Sequence, residues 1–270
     1  MDFNGFQTVG LLRFSVLTTD FMTEKLGSFA QIRDNIFRPD RLDLRFKLFE
    51  TVCLPSLTRQ TDGDFQFVIL TSADMPAPFL DRLRDLVAPH PHIRVNAAAV
   101  DGHYRLIKAA YGAVQPDQSS HRLSFRLDDD DALDLDYIAR LKRTGAGLLA
   151  VTGADTPTAI SFNRGFYVEL REDGDNPLID SVERAPLSVG TALMHPADQP
   201  LNPYRYNHRA FAQHYNSWSD ISVPGFLRTI HSDNVSTPAK QGITGKMRPR
   251  LIEKQIKQHF GFDPAMLKAL

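Results

Sequence analysis

Leu123-Ser124-Phe125-Arg126-Leu127-Asp128-Asp129-Asp130-Asp131-Ala132-Leu133 is a short alternating apolar run that stops at four consecutive aspartates. Leu123, Phe125 and Leu127 share one face of a period-two segment, the pattern of a strand. If the extended geometry continues past Leu127, Asp128 and Asp130 point one way and Asp129 and Asp131 the other. Carboxylates two residues apart can converge on one hard cation, and four adjacent negative charges call for a divalent ion, a helix N-terminus or both. The competing reading is helix capping: Leu133 to Leu141 reads as a helix that one of these aspartates can start. A cap accounts for one aspartate and not for four.

Working outward, Val9 to Leu17 is rich enough in branched and aromatic residues for a buried first strand. Arg41 to Gln60 reads as one helix, with Leu42, Phe46, Phe49, Cys53 and Leu57 on its apolar stripe and a kink at Pro55. A turn at Thr61–Asp64 leads to a strand over Phe65–Thr71, a helix from about Pro78 to Val87, a strand near Ile93–Asn96 and a helix over Tyr104–Val114. Strand and helix alternating in this way predict an α/β fold, a mostly parallel sheet flanked by helices, with ligands outside the carboxyl ends of its strands. The aspartates stand at one such end.

Beyond Leu148 the pattern is less regular. Leu148–Thr152 and Gly165–Leu170 read as strands, Ala159–Asn163 as a weaker one, Tyr204–Tyr215 as a helix and Arg250–His259 as a final helix. An irregular, mixed second half is expected, within a single domain spanning residues 1–270. The 42% hydrophobic and 23% charged residues are those of an ordinary globular protein, and a net charge of −1 argues against a general nucleic-acid binder. One cysteine, Cys53, gives no intramolecular disulfide. With no secretory pattern after Met1 and no apolar run long enough to span a bilayer, a cytoplasmic location is expected, a peripheral membrane contact being left open.

Phe49 to Gln60 followed by Asp64 to Leu70, the Leu127-Asp128-Asp129-Asp130-Asp131 run, and the late His231-Ser232-Asp233-Asn234-Val235-Ser236 together resemble nucleotide-sugar-dependent glycosyltransferases of the GT-A type. More narrowly they resemble a bacterial rhamnosyltransferase family. The resemblance runs from the first strand to about Ser236 and implies a GT-A-like, Rossmann-like fold. It implies a nucleotide-sugar-binding half over about 1–135 and an acceptor-binding half over about 136–270. The donor is then a nucleoside-diphosphate sugar, and the acceptor a glycan, a lipid-linked sugar or a protein. Mn²⁺ or Mg²⁺ would neutralise the departing diphosphate. Asp128 would serve the nucleotide or the metal, Asp130 the metal directly, and His231 would be the distant metal ligand, a set that favours manganese.

Other candidates follow from the residues. Arg126 adjoins the acidic run and either touches a donor phosphate or neutralises the aspartates. Arg13, a lone charge in an apolar strand, demands a partner and can approach the nucleotide. Lys246, with Arg248 and Arg250, is either a loop closing over diphosphate or a solvated basic surface. An inverting transfer needs a carboxylate base, for which Asp220 comes first and Glu183 second. Trp218, Tyr204 and Tyr206 either face a sugar acceptor or belong to the core. Two alternatives stay open: a metal-dependent phosphohydrolase or phosphoryl-transfer enzyme using the same aspartates, and a non-catalytic ion-binding protein on the same scaffold.

Overall fold

A computed structural model of the chain describes residues 5–21, 27–234 and 242–270. Val235, Ser236 and Lys240, which the sequence reading included in the His-containing and basic stretches, lie outside the described residues.

The main sheet has seven strands in the order β10-β6-β9-β4-β1-β2-β3. These are β1 (Phe6–Phe14), β2 (Gln66–Ser72), β3 (Ile93–Ala98), β4 (His121–Asp128), β6 (Thr158–Phe162), β9 (Ala192–Pro196) and β10 (Asn216–Asp220). The run β4-β1-β2-β3 is parallel, whereas β9 is antiparallel to both β4 and β6. A second sheet orders β12 (Ile243–Thr244), β8 (Leu178–Val182), β7 (Arg164–Glu169), β11 (Phe226–Ile230) and β5 (Ala132–Leu133). The expected mostly parallel sheet with a mixed second half is what forms.

Burial explains why β1 is central. Val9, Leu11, Leu12 and Phe14 are fully buried between β2 and β4. Gly10 pairs in register with Phe67 on one side and Phe125 on the other, and a Cβ there would stand 2.3 Å from both rings. A glycine lets the two phenylalanines close over the strand.

The helices are α1 (Phe29–Ile36), α2 (Pro39–Leu48), α3 (Leu54–Thr58), α4 (Ala77–Val87), α5 (His103–Gly112), α6 (Tyr137–Thr152), α7 (Pro249–Phe260) and α8 (Pro264–Lys268). Ser28 and Gln31 cap α1 reciprocally as a capping box. α7 begins with Pro249 and stops at Gly261, which adopts φ +67°. Its Ile252, Ile256 and Phe260 pack on Phe166, Val168 and Leu227 of the second sheet.

Four expectations need correction. The single helix over Arg41–Gln60 is two helices joined by a π-helical turn at Phe49–Cys53, directly before Pro55, whose missing N–H a continuous α-helix would not accommodate as well. Leu148–Thr152 is the last stretch of α6, with Leu148 and Leu149 against the core and Val151 81% exposed, so its apolar run is not a strand. Tyr204–Tyr215 is loop plus a 3₁₀ turn over His208–Gln213. Finally, α6 starts at Tyr137, so none of the four aspartates caps it.

Candidate active site

The carboxyl ends of β1 and β4 lie side by side beneath a cavity of about 380 Å³, the size of a small-molecule site. Arg13 and Asp128 are register partners there, and Arg126, two residues before Asp128, shares their face of the sheet. Arg13 Nη2 lies 3.5 Å from Asp128 Oδ1, and its Nη1 donates to His103 Nε2 at 2.9 Å. Burial and then the Arg13 charge push the His103 pKa down to about 4, so its ring is a neutral acceptor. Phe21 stacks on His103 at 4.3 Å between ring centroids and lies 5.1 Å from the Arg13 guanidinium.

Tyr204 supports the arginines from another side. Its ring sits 4.3 Å from the Arg126 guanidinium and 5.4 Å from that of Arg13. Its hydroxyl donates to the Leu11 carbonyl at 2.9 Å, with the Leu127 carbonyl at 3.4 Å. Tyr204 therefore belongs to the wall of the arginine site and is itself buried.

The extended geometry ends at Asp128. Asp131 N–H donates to the Asp128 carbonyl at 3.3 Å, closing a turn in which each carboxylate finds a different partner. Burial opposes the charge on Asp128, but Arg13, Arg126 and a hydrogen bond from Ser188 outweigh it and hold its pKa below the usual value. Arg45, from α2, lies 2.8 Å from Asp129 Oδ1 and 2.7 Å from Asp130 Oδ2. Asp130 Oδ2 also accepts from His231 Nε2 at 2.9 Å and Asn234 Nδ2 at 3.0 Å. Asp130 is buried, yet Arg45 and His231 keep it well below the ordinary carboxylate range. Asp129 has no such extra donors; burial raises it to about 6 despite Arg45, with Asp130 adding to the rise. Asp131 is pushed well above its usual value by burial and the Asp130 charge, and it accepts from Thr229 N–H at 3.1 Å.

Arg41 and Arg228 also line the cavity, and exposed Arg209 stands at its edge as a sixth arginine. Arg41 bonds Ser15 Oγ at 3.0 Å and the Ile36 carbonyl at 3.1 Å, and pairs with Asp233 at 3.0 Å. Ser15, directly after β1, adopts φ +48°, an uncommon conformation for a residue with a side chain. Arg228 of β11 stands in register with Tyr167, whose hydroxyl donates to Glu183 at 2.6 Å. Arg126 and Arg228 are both buried and both line the cavity, and among the described residues neither side chain makes an ion pair or a hydrogen bond.

Of the residues expected from sequence, the structure gathers Arg13, Arg126, Asp128 and Asp130 at the cavity, with His231 bonded to Asp130. Asp220, Glu183 and Lys246 do not line it. Asp220 ends β10, and its Oδ1 accepts from Ser222 N–H and Oγ at 2.7 and 2.6 Å. Glu183 is buried behind Tyr167, and Lys246 is exposed beside a separate groove with Arg164, Arg248 and Arg250. Arg41, Arg45, Arg228 and His103 were not singled out from the sequence, and Asn234 was noted only as part of the His231-containing stretch.

The donor set does not fit a metal ion. Asp130 Oδ2 already receives three N–H donors, leaving that oxygen no free lone pair, and His231 spends its Nε2 as one of them. Among the described residues no three His, Cys, Asp or Glu side chains converge as a cation set.

Residues 7–243 match the model of a protein family described as "Putative rhamnosyl transferase". The chain belongs to that family. A search of curated proteins gave no match. Among solved structures, residues 1–349 of S. aureus TarS are similar at 12% identity and a TM-score of 0.40, covering 83% of this chain and 60% of that one. A mannosyltransferase, PcManGT from Pyrobaculum calidifontis, in complex with GDP-Man and Mn²⁺, is similar at 10% identity and 0.41, covering 84% and 58%. A 4-diphosphocytidyl-2C-methyl-D-erythritol synthase from Anaerococcus prevotii is similar at 10% and 0.36, covering 83% and 88%. The chain thus spans about three fifths of the first two proteins. Among the described residues no helix is long and apolar enough to cross a membrane.

Proposed function

We propose that the chain moves a sugar, with rhamnose the one its family favours, from a nucleoside-diphosphate donor to a hydroxyl of a glycan, a lipid-linked sugar or a protein. The observation that carries this reading is the charge balance of the cavity, where six arginines and four aspartates meet at the carboxyl ends of β1 and β4. A diphosphate complements that excess. During transfer the bond from the anomeric carbon to the diphosphate oxygen breaks, and its electron pair leaves with the nucleoside diphosphate. The acceptor oxygen bonds to the same carbon, and its proton passes to a base. Guanidinium groups fixed before the reaction stabilise the charge that grows on the leaving diphosphate. The stacked Phe21 and His103 beside Arg13 offer a flat face to the nucleobase.

Asp220 is the base we assign. β10 runs parallel to β6 and, through antiparallel β9, in the same direction as β4, so Asp220 emerges at the same sheet edge as Asp128. Three strand spacings separate them, about 14 Å. That span leaves room for a sugar and an acceptor hydroxyl between diphosphate and base. Glu183 acts at one remove, holding Tyr167 next to Arg228.

The test is incubation of the purified protein with deoxythymidine, uridine and guanosine diphospho-sugars, measuring released nucleoside diphosphate and the shift in melting temperature. One donor class is expected to give both signals. If none of the three bases gives either signal, the reading is wrong.

A further inference from the structure

We propose that this cavity holds the donor diphosphate without a divalent cation: Arg126 and Arg228 take its oxygens, and Arg45 stands where a metal would otherwise neutralise the aspartates. This rests on the glycosyltransferase reading above and departs from the metal that the sequence led us to expect.

Three observations support it. The first is that Asp129 and Asp130 already share a cation supplied by the protein. Arg45 spans Asp129 and Asp130 at 2.8 and 2.7 Å, and its side chain is 11% exposed, so it is built into the site and is not a surface residue passing by. A cation binding Asp130 Oδ2 would have to displace Arg45, His231 or Asn234 from that oxygen. The second is that Arg126 and Arg228, 7% and 8% exposed, have no ion pair among the described residues, though both line the cavity. A buried, unpaired charge is costly, and a chain keeps one where a ligand supplies the counter-charge. Planar guanidinium donors match phosphate oxygens better than a point charge does. Third, Tyr204 fixes the Arg126 plane by stacking at 4.3 Å, so this donor is oriented before the ligand arrives. With arginines already in excess, a divalent cation would be repelled until the diphosphate had bound.

Isothermal titration of the wild-type chain with deoxythymidine, uridine and guanosine diphosphates, each in EDTA and again with Mn²⁺ or Mg²⁺ in place of the chelator, decides the matter. Binding of one diphosphate with affinities within about threefold in EDTA and in metal supports the proposal. Affinity more than about threefold tighter with metal overturns it and leaves the glycosyltransferase reading standing. No binding of any diphosphate under either condition overturns both. Two variants separate ligand contact from structural support. Arg126→Met and Arg228→Met are each expected to weaken diphosphate binding by about ten- to a hundredfold, the worth of a charged hydrogen bond, while binding of the parent nucleoside changes little. Neither arginine makes a direct ion pair among the described residues, and their longer-range support of Asp128 and Asp131 is modest, so the ligand-free variants are expected to melt within a few degrees of wild type. Variants that melt much lower in the absence of ligand, or that bind the diphosphate as tightly as wild type, assign these arginines a structural role and overturn the proposal.

Discussion

Replacing Arg45 with alanine removes the one guanidinium shared by two buried carboxylates. Asp129 is 1% and Asp130 4% exposed, and neither can move into water without opening the turn that carries them. Breaking a buried pair by deleting one partner costs about 3–5 kcal/mol. Two carboxylates lose their partner here, which pushes toward the upper figure. Asp129 already stands near 6 and takes up a proton readily, which pulls the other way, so about 4 kcal/mol at neutral pH is the expected loss. For a chain of this size that is on the order of 10 °C in melting temperature. Urea unfolding followed by circular dichroism measures it. The deficit should shrink below about pH 5, because the stranded aspartates protonate at little cost and no longer repel. A loss below about 1 kcal/mol, typical of a solvent-screened surface pair, would refute the claim that Arg45 is integral to the site.

Gly10→Ala puts a methyl 2.3 Å from the rings of Phe67 and Phe125, and overpacking of this kind is expected to destabilise by about 3 kcal/mol or more, read by thermal melts; an unchanged melting point would show that the sheet centre yields easily. His195 is buried, and burial lowers its pKa to about 4. The folded value lies below the unfolded one, so the unfolded state binds the extra proton between about pH 6.5 and 4, and stability falls as pH drops through that window, by at most about 3 kcal/mol. His195→Asn should flatten that slope of stability against pH, and an unaltered slope would place the titrating group elsewhere. Asp220→Asn is expected to lower kcat by about a hundredfold or more, the worth of a general base, with donor affinity unchanged; transfer at the wild-type rate would remove Asp220 from the mechanism. Tyr204→Phe deletes the hydroxyl bonded to Leu11 and should cost about 1 kcal/mol of stability, measured by urea unfolding, while a loss near zero would mean water replaces it.

Local pattern made part of this site legible and left part of it hidden. Arg13 and Arg126 stood out because a single charge interrupts an apolar strand, and both line the cavity. Phe226-Leu227-Arg228-Thr229-Ile230 carries the same signal, and reading it in the same way would have found Arg228. Arg41 and Arg45 gave no such cue. They lie four apart along α2 beside the apolar Leu42 and Phe46, as solvated residues of an amphipathic helix also do. What buries them is the acidic turn, a tertiary contact that periodicity does not encode. The aspartates were read as calling for a divalent ion or a helix N-terminus, and sequence spacing did not reveal that Arg45, a side chain from α2, lies against two of them. Leu148–Thr152 misled for a related reason: a short apolar run has no period of its own, and its continuity with Tyr137 decided for helix.

The bonds that assemble the cavity are long-range. Arg45 and Asp130 are 85 residues apart in the chain, Asp130 and His231 are 101, and Leu11 and Tyr204 are 193. Closing such loops is entropically slow, and it precedes the contacts that reward it. Until α2 docks, four neighbouring carboxylates repel one another, so the acidic turn should be among the last parts of the chain to order during refolding. A nascent or truncated chain would then have its central strands in place and no working site, and activity recovers only when residues from both ends of the sequence have met.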